Sequence, residues 1–428
     1  MTDSVVLKDL LEFTRDGEWG KGAATSGHVE MAVIRGTDFA AVRSGDMSSV
    51  PRRFIAAKAA ERKMLEPGDL LIETAGGTKD QPTGRTVLLN RRIFEASDLP
   101  ITCASFSRFL RVKRDLIDPR YLFWYLQSIY TTGEMLPYHI QHTGVARFQY
   151  TDFAAKWHVP IPEMSRQQEI ADTLSTIDDK IELNRQMNET LGAIAQAIFR
   201  DWFVDFGPTR RKMEGATDAV AILGGLIPNP EKAAKFAALF PANFSADGAP
   251  DGWIEKNVGD IVDRLKPEKR YTKKQVLKQG KVPVFEQGAG LFLGFHNDDA
   301  GFKATPKEPL MVFGDHTCIL HLACCDFDIS SNVIPLSGKE LSTSWVYHAL
   351  HGKQEFQEYR RHWSEFVVKK ATVPNSNLDV QFAALVQPLL ALIETLRNEN
   401  RTLGESRDLL LPKLMSGEIR LRNAETVA

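Results

Sequence analysis

Histidine and cysteine, the side chains that most often bind zinc, are concentrated in one short stretch in the second half of the chain. The stretch reads His316-x-Cys318-x-x-His321-x-x-Cys324-Cys325. Neighbouring residues of a strand point to opposite faces of the sheet, and the spacing contains no Cys-x-x-Cys pair. The pattern therefore favours a buried strand that carries small thiol side chains, with a zinc site as the alternative. We expect no metal site.

A second stretch that could bind a ligand is rich in glycine and polar side chains. It reads Gly76-Gly77-Thr78-Lys79-Asp80-Gln81-Pro82-Thr83-Gly84-Arg85. The glycines allow the backbone to approach a ligand closely, and the polar side chains supply hydrogen-bonding groups. The spacing does not fit the phosphate-binding GxxxxGK[ST] motif. An ordinary hairpin loop remains the alternative to a ligand-binding loop.

Basic side chains are concentrated in two places, although the chain as a whole is almost neutral. The 53 basic and 55 acidic side chains give a net charge of −2, which argues against a uniformly basic nucleic-acid-binding protein. From Arg35 to Lys63 there are seven basic and three acidic residues, and from Glu255 to Lys281 nine and four. The two stretches indicate two anion-binding faces, with solvated loop surface as the alternative.

The sequence carries no recognisable catalytic signature. It contains no glycine-rich cofactor loop after a strand, no P-loop and no HExxH motif. A methyltransferase acting on a base amino group would need a tetrapeptide such as Asn-Pro-Pro-Tyr to hold the flipped base. The nearest match is Pro228-Asn229-Pro230, which lies in a linker-like stretch. We therefore predict no catalytic residues.

The composition is that of a folded, multidomain protein. Of 428 residues, 43% are hydrophobic and 25% are charged, and this length predicts roughly two to four domains. Four cysteines make a poor disulfide framework. The N-terminus does not resemble a signal peptide, and no apolar run approaches the ~20 residues of a membrane helix. A cytoplasmic protein is expected.

The elements that must position these residues are repeated along the chain. The segment 177–192 recurs as 389–404, a spacing of 212 residues. Ile181-Glu182 matches Ile393-Glu394, and the pattern Asn-x-Thr-Leu-Gly ends both copies. Fixed-period similarity of this kind indicates a duplicated architecture.

Both copies lie in long segments with the apolar spacing of a coiled-coil seam. The first seam consists of Ile170, Leu174, Ile177, Ile181, Leu191, Ala195, Ile198 and Trp202. The second seam consists of Leu385, Leu389, Leu392, Leu396, Leu403, Leu410 and Leu414. Polar residues interrupt the seams near Asn188 and Glu399. The pattern predicts two long amphipathic helices, of which the first spans about 52 Å at ~1.5 Å per residue.

The blocks between the helices have a mixed character. Short β-like runs such as 70–72 and 310–313 alternate with glycine, proline and aspartate clusters, and each block also has a helical stretch. The sequence therefore predicts an α+β protein with five parts. These are a first mixed α/β block (1–163), a long helix (164–206), a proline- and glycine-punctuated linker with a short alanine-rich helix inside (207–250), a second mixed block (251–377), and a second long helix with a tail (378–428).

The sequence resembles the specificity (S) subunits of type I restriction–modification enzymes over nearly its whole length. The segments that carry the resemblance are Pro160-Ile-Pro162, Gln167-Gln-Glu-Ile170, Ile177-Asp-Asp-Lys-Ile181, Trp202-Phe-Val-Asp-Phe-Gly-Pro208, Lys212-Met-Glu-Gly215, Leu239-Phe-Pro241, Pro250-Asp-Gly-Trp253 and Leu409-Leu-Leu-Pro-Lys-Leu-Met-Ser-Gly-Glu-Ile-Arg420. In one departure, the second helix has Val380-Gln-Phe-Ala383 in place of the Gln-Glu pair of the first.

The resemblance implies an architecture and a set of partners. Two target recognition domains would be joined by two long antiparallel coiled-coil helices in a pseudo-twofold repeat, and would read an asymmetric bipartite target in double-stranded DNA. The helices would set the gap between the half-sites and bind partners. The subunit itself would bind no cofactor and catalyse nothing. Its implied partners are two methyltransferase (M) subunits that use S-adenosylmethionine, and two restriction/translocase (R) subunits that use ATP and Mg²⁺.

Under this resemblance the polar loops become candidates for DNA contact, because reading a base requires donors and acceptors held against a groove edge. The candidates for base or loop contacts are Arg35, Thr78, Lys79, Gln81, Arg85, Gln287, Asp315, His316 and Thr317. The candidates for phosphate contacts are Arg52, Arg53, Lys266, Lys269, Arg270, Lys273 and Lys274. For each of them, loop or strand-end structure is the alternative.

Two other classes of protein remain open from the sequence. The chain could be a restriction nuclease with an unrecognised active site, which would cleave DNA on its own. It could also be an assembly scaffold whose helices matter and whose mixed blocks read no DNA. The two basic, loop-rich and mutually different blocks argue against the scaffold.

Overall fold

The structure is a computed structural model that describes residues 3–77, 81–141, 145–288 and 290–420. The chain divides into two units, of which the first comprises residues 1–183 with 400–428 and the second comprises residues 184–399. This division differs from the predicted one, because each long helix contributes one part to each unit and is not a separate domain.

The strands of the first unit form two main sheets. They are β1 (Asp3–Val6), β2 (Leu11–Asp16), β3 (His28–Ile34), β4 (Arg52–Ala56), β5 (Leu70–Glu73), β6 (Thr86–Leu88), β7 (Ile101–Cys103), β8 (Ser107–Val112), β9 (His139–Gln141), β10 (Ala146–Phe148) and β11 (His158–Ile161). An antiparallel sheet has the order β2-β8-β5-β6, and a second sheet has the order β4-β3-β7 with β3 and β7 parallel. β1 pairs with β11, and β9 pairs with β10.

Short helices connect these strands. They are α1 (Phe39–Arg43), α2 (Ala57–Lys63), α3 (Arg91–Glu95), α4 (Pro119–Thr131) and α5 (Tyr150–Lys156), with 3-10 turns at Leu7–Leu10, Gly36–Asp38 and Leu136–Tyr138. Proline at the first position of α4 and the side chain of Asp118, which accepts a hydrogen bond from the backbone N–H of Arg120, begin that helix.

The second unit has the same strand order as the first. Its strands are β12 (Ile254–Asn257), β13 (Val262–Arg264), β14 (Val282–Phe285), β15 (Phe292–His296), β16 (Leu310–Gly314), β17 (Leu320–Ala323), β18 (Asp328–Ile329), β19 (Val333–Gly338) and β20 (Lys370–Val373). The four-stranded sheet has the order β13-β19-β16-β17, the three-stranded sheet β15-β14-β18 again has one parallel pair, and β12 pairs with β20.

Two long helices run from one unit into the other, and the remaining helices of the second unit are short. The long helices are α6 (Met164–Phe203) and α13 (Leu378–Ser416). The short helices are α7 (Gly207–Met213), α8 (Ala219–Ile222), α9 (Pro230–Ala237), α10 (Val258–Ile261), α11 (Thr343–Leu350) and α12 (Trp363–Phe366).

Within each unit, the two long helices are antiparallel. In the second unit, the Asn184 side chain donates to Glu399 at 2.7 Å, and Phe199 packs on Phe382 with their ring centroids 5.5 Å apart. In the first unit, Asn400 donates to the carbonyl of Ile181 at 3.0 Å, and Arg407 pairs with Asp178 at 2.6 Å. In these contacts, later residues of α6 lie against earlier residues of α13, so the two helices run in opposite directions.

The buried face of α13 agrees with the predicted seam at Leu414 and departs from it between residues 382 and 393. Phe382, Val386, Leu390 and Ile393 are buried, whereas Leu392 is 42% exposed. The predicted seam residues Leu389, Leu396 and Leu403 are only half-buried. The sequence places apolar residues side by side at 389–390 and 392–393, so two neighbouring stripes fit the same spacing. The stripe that carries the large Phe382 ring faces the core, since burying it removes more apolar area from water.

The seam of α6 agrees with the prediction at its ends and less well in its middle. Leu191 is buried, as are Ile170 and Leu174. Ile177 and Ile181 are only half-buried. In that middle stretch the polar contacts of Asp178 and Asn184 replace apolar packing.

One buried polar contact ties α6 and α13 to the mixed blocks in an equivalent way. Gln167 is buried and accepts a hydrogen bond from the backbone N–H of Asp118, the residue that caps α4, at 2.8 Å. In the second unit, Asp379 accepts from the N–H of Ser342, the residue at the start of α11, at 2.8 Å. A different residue type therefore performs the same role where the second helix lacks the Gln-Glu pair.

The stretch predicted as a linker, 207–250, is folded into the second unit. It forms α7, α8 and α9, and its residues Leu223, Phe236 and Phe240 belong to the hydrophobic core. Asn229 accepts a hydrogen bond from the N–H of Lys232 and caps α9, whose first residue is Pro230. Helix α9 is the short alanine-rich helix that the sequence predicts inside the linker, and proline in this stretch begins helices, whereas the sequence analysis interpreted it as punctuation of a linker.

Aromatic side chains dominate the core of the second unit. The Phe203 ring lies 5.7 Å from Trp345, 5.7 Å from Trp253 and 5.6 Å from Phe382. Trp202 and Trp345 are fully buried. Rings at these separations contribute both buried area and edge-to-face contacts.

Helix α13 is long and apolar enough, by length and composition alone, to cross a membrane. From the sequence, we had expected no apolar run as long as a membrane-spanning helix. Core helices pass the same test, and α13 supplies Phe382 and Val386 to the core of the second unit and Leu411 and Leu414 to the core of the first. We therefore assign this helix to the protein core.

We predict that Phe382→Ala lowers the free energy of unfolding by about 3–5 kcal/mol, because it removes a fully buried ring and leaves a cavity. The measurement is urea unfolding followed by tryptophan fluorescence. Leu392→Ala on the same helix is the matched control, since Leu392 is 42% exposed. Equal losses in the two variants would contradict the core assignment.

Candidate nucleic-acid interface

The candidate site of the first unit is built around the carboxylate of Glu73, the last residue of β5. The Glu73 side chain is 3% exposed and forms an ion pair with Arg85. Arg85 donates from Nε to Oε2 at 2.9 Å and from Nη2 to Oε1 at 2.6 Å. The hydrogen bond to Glu73 raises the pKa of Arg85 above its ordinary value. Arg85 is therefore held at the base of the polar loop by a two-bond contact.

A second predicted segment meets the same carboxylate. Gly36 follows β3, and a Cβ atom built on it would lie 2.7 Å from Glu73 Oε1, so any larger residue there would require the Glu73 carboxylate to shift. The neighbouring Arg35 donates from Nε and Nη2 to the buried Asp38 and from Nη2 to the carbonyl of Ser49. The structure thus brings the segment at Arg35 together with the segment at Arg85, although both guanidinium groups have partners within the protein.

The strands β9 and β10 flank the glycine-rich loop. Ala75 pairs with Arg147 of β10, and the N–H of Gly76 donates to the carbonyl of Ala146 at 3.2 Å. At the other end of the loop, the N–H and the hydroxyl of Thr83 both lie within 3.1 Å of His139 Nδ1. Thr78 and Lys79 lie outside the described residues, and Gln81 is exposed.

The other two basic candidates of the first unit have partners on the protein surface. Arg52 pairs with Asp98 at 2.9 Å, and both side chains are more than half exposed. Arg53 lies over the Trp19 ring, 4.4 Å from its centroid, and donates to the Trp19 carbonyl. Exposed pairs of this kind contribute little to stability and can be exchanged for a phosphate.

The candidate site of the second unit is formed by the equivalent strand ends. Gln287 follows β14, and its Oε1 accepts a hydrogen bond from the N–H of His316, two residues after β16, at 3.2 Å. Thr317 Oγ1 accepts from the N–H of Ile319, and Cys318 adopts a left-handed backbone conformation with φ of 60°. These contacts form a tight turn between β16 and β17. The predicted residues Gln287, His316 and Thr317 therefore lie together.

Asp315 has a structural role in the same turn. Its carboxylate is 11% exposed, and Oδ1 accepts hydrogen bonds from the N–H groups of His362 at 3.1 Å and Trp363 at 2.9 Å. The Asp315 carbonyl also accepts from the N–H of His362 at 2.8 Å. Asp315 thereby fixes the start of α12 beside the loop. Its carboxylate is therefore partly occupied by backbone N–H groups of the protein.

His316 is held beneath an exposed tyrosine. The two rings are 4.7 Å apart at 61°, and Tyr359 is 72% exposed. Both ring nitrogens of His316 are buried without a hydrogen-bond partner in the part of the chain that the structure describes. A buried imidazole whose nitrogens have no partner is energetically costly.

The predicted phosphate contacts of the second unit divide into two groups. Arg270 donates from Nη1 to the carbonyls of Ser330 at 2.8 Å and Val333 at 2.9 Å, and burial together with the nearby Arg264 lowers its pKa. Lys269 lies 4.1 Å from the centroid of the Tyr271 ring. Lys266, Lys273 and Lys274 are exposed. The side chains of these three lysines are solvent-exposed, whereas the guanidinium of Arg270 bonds to loop carbonyls.

The histidine and cysteine stretch forms the turn and the strand β17. Burial lowers the pKa of His321 to about 3 and raises the pKa of Cys324 and Cys325 to about 12. The imidazole and thiols are therefore neutral near pH 7. Among the described residues, no three histidine, cysteine or acidic side chains are grouped as metal ligands.

Two segments that border the candidate sites were not predicted from the sequence. One is the β9–β10 pair, and the other is the segment 356–362 before α12. The run Tyr359-Arg-Arg-His-Trp363, in which two arginines lie between aromatic side chains, was the available signal for the second.

Comparisons with known proteins agree on one family. A family model described as the type I restriction modification DNA specificity domain matches residues 62–193. The chain is 25% identical over 394 residues to the type I restriction enzyme HindI specificity subunit of Haemophilus influenzae, covering 77% of this chain and 84% of that one. It is 25% identical over 311 residues to the MjaIX specificity subunit of Methanocaldococcus jannaschii, covering 69% of each chain.

A solved structure shares the fold. The crystal structure of the S subunit of a type I restriction–modification system from M. genitalium matches with a TM-score of 0.52 at 15% sequence identity, covering 97% of this chain and 96% of that one. The matched domain model covers residues 62–193, and both curated relatives are specificity subunits. The chain is therefore similar in sequence to the specificity subunits of type I restriction–modification systems, and it shares the fold of one of them.

We predict that Arg85→Ala lowers the free energy of unfolding by about 3–5 kcal/mol, because it leaves the Glu73 carboxylate buried and unpaired. Arg52→Ala is the matched control and costs at most about 1 kcal/mol, since its pair with Asp98 is exposed. Both are measured by urea unfolding. Combining Arg85→Met with Glu73→Leu restores most of the loss, and a stable Arg85→Ala variant would show that the pair is not structural.

Proposed function

We propose that this chain is the DNA sequence-specificity subunit of a type I restriction–modification complex, and that it recognises an asymmetric bipartite target. It is a recognition subunit and not an enzyme. One observation carries the proposal: in both units, the segment after β3 or β14 meets the segment after β5 or β16, through Gly36 and Glu73 in the first and Gln287 and His316 in the second. Each unit therefore presents one polar surface made of strand-end loops, the kind of surface that can enter a DNA groove.

The two surfaces are built from different residues on the same strand order, which favours two different half-sites. Arg85 and the exposed Gln81 belong to the first, with the buried Glu73 and Thr83 supporting them, while Gln287, His316 and Thr317 form the second. Because base recognition depends on the pattern of donors and acceptors, unlike loops read unlike sequences. The exposed Lys266, Lys273 and Lys274 would contact phosphates, so binding would weaken as salt rises.

The long helices act as a spacer in this proposal. They form an antiparallel coiled coil between two target recognition domains in a pseudo-twofold repeat, and their length sets the gap between the half-sites. Helix α6 has 40 residues, about 60 Å at 1.5 Å per residue. That is nearly two turns of B-DNA at ~34 Å per turn.

The same helices provide surface for the partners. Leu183 is 55% exposed, Met187 is 43% exposed and Ile194 is 43% exposed on α6. Apolar side chains left exposed on a helix suit the docking of another helix. The partners are methyltransferase and restriction subunits. We propose two of each, which carry S-adenosylmethionine in the first case and ATP with Mg²⁺ in the second, and which assemble with this chain in the cytoplasm.

The two competing classes are less well supported. The hypothesis of a nuclease requires an active site in this chain. The matched family model is described as a DNA specificity domain, and both curated relatives are named as specificity subunits. A scaffold that reads no DNA would not need two polar surfaces of unlike composition. The specificity reading accounts for the helices and the loops together.

We predict that cells expressing this chain with its methyltransferase subunit carry methylation at a split, asymmetric DNA motif, and that this methylation is lost when the chain is omitted. The measurement is single-molecule sequencing of the genome for modified bases. Expression of the methyltransferase alone is the control. Methylation at the same motif without the chain, or at no motif with it, would contradict the specificity role.

We predict that inserting seven residues into both long helices, at 183/184 and at 399/400, widens the gap by about three base pairs, because seven residues add ~10.5 Å and keep the buried faces nearly in phase. Both half-site sequences stay the same. The control is a seven-residue insertion after Gly248, in a surface turn. Methylation at the original gap in the helix variant would show that the helices are not the spacer.

A further inference from the structure

The segment 356–362 of the second unit presents large exposed side chains beside the candidate site. Phe356 is 55% exposed, and Tyr359 is 72% exposed. The segment follows α11 and ends at α12, where the N–H groups of His362 and Trp363 donate to Asp315. Aromatic side chains so exposed are unusual unless they serve an interaction.

Two neighbouring arginines in this segment have opposite environments. Arg360 forms ion pairs with Glu358, at 2.7 Å, and with Glu365. Arg361 is 79% exposed, and its nearest acidic oxygen, Oδ2 of Asp315, lies 3.9 Å from its Nε. The first guanidinium is occupied within the protein, and the second projects from it with most of its donors in solvent.

The backbone at Arg361 is nevertheless held firmly. The carboxylate and the carbonyl of Asp315 together accept three hydrogen bonds from the N–H groups of the next two residues, His362 and Trp363. Asp315 itself is fixed, since its N–H donates to the carbonyl of Asn332 at 2.9 Å. An arginine whose main chain is anchored beside Gln287 and His316 can present its guanidinium to a ligand at small entropic cost.

An exposed arginine recurs at the same place in the first unit. Arg147 lies three residues before α5, as Arg361 lies two residues before α12. Arg147 is exposed, and within the described ranges its side chain forms no ion pair. Its backbone pairs with Ala75, just after β5. Its neighbour Val145 is 44% exposed. Each unit therefore carries one exposed arginine whose main chain, or that of its neighbours, is bound to the residues that follow the third strand of the four-stranded sheet.

We propose that Arg361 is a specificity-determining residue that donates hydrogen bonds to the edge of a base, and that Tyr359 packs against the DNA beside it. The inference rests on the proposed function and names the contact made by the second unit. A guanidinium fork matches the O6 and N7 acceptors of guanine in the major groove, so the base read is a guanine. Arg147 occupies the corresponding position in the first unit.

The test compares three variants of the complete chain in purified complex with its methyltransferase: Arg361→Ala, Arg361→Lys and Arg360→Ala. The substrates are short duplexes that carry the methylated motif, and duplexes in which each base pair of the motif is changed in turn. The rate of methyl transfer on each duplex is divided by the amount of assembled complex. Arg360→Ala is the matched control, because its guanidinium is occupied within the protein.

Arg361→Ala is expected to lower discrimination at one base pair of one half-site about tenfold or more, and to leave the other half-site unchanged. Arg361→Lys loses the same discrimination, because an ammonium group cannot form the fork. Arg360→Ala keeps the preference of the unmodified chain at every position.

Other outcomes overturn the assignment. If Arg361→Ala lowers the rate equally on all duplexes and Arg361→Lys restores it, the side chain contacts a phosphate. If Arg361→Ala lowers the amount of assembled complex and leaves the base preference intact, the segment contacts a protein partner. Failure of the unmodified complex to prefer any motif would contradict the proposed function itself, which separates the two failures.

Discussion

A carboxylate buried at the end of the third strand of the four-stranded sheet organises the polar loops of each unit. Burying an ionised carboxylate is costly unless donors surround it. In the first unit Glu73 recruits the guanidinium of Arg85, and Gly36 approaches it closely. In the second unit Asp315 recruits the N–H groups that begin α12. The requirement to satisfy one acid thus fixes several segments that are far apart in the sequence.

This constraint separates the framework from the surface it presents. The sheets, the paired terminal strands and the long helices follow one plan in both units, and their apolar residues fill the cores. The side chains that project from the strand ends differ between the units. A framework that does not depend on those exposed side chains can tolerate changes in them, so recognition can vary while the fold is kept.

The sequence predicted the two long helices and the duplicated order better than it predicted which face of each element is buried. Repetition and periodicity can be recognised in a sequence without knowing the tertiary contacts, and they identified α6 and α13 to within a few residues at most ends.

The buried stripe of α13 could not be chosen in advance, because only the aromatic core that receives Phe382 decides between two adjacent stripes. Within 207–250 the short alanine-rich helix was predicted, whereas α7 was missed because proline marks a helix start as well as a loop. Arg85 and Asp315 were singled out as polar, but their partners Glu73 and His362 could be found only from the tertiary structure. The equivalence of Gln167 and Asp379 was likewise hidden, since the two residue types share only an acceptor oxygen.

The two units are not equally continuous along the chain, and this affects the order in which they can form during synthesis. The second unit is one uninterrupted stretch, 184–399, whereas the first needs residues from both ends of the chain. Leu411 and Leu414 complete the core that holds Ile170 and Leu174. A ribosome therefore synthesises every residue of the second unit before it adds the last apolar side chains of the first. Until then, the first unit keeps an open apolar face on α6, so its core is completed only after the sequence of the second unit has been made.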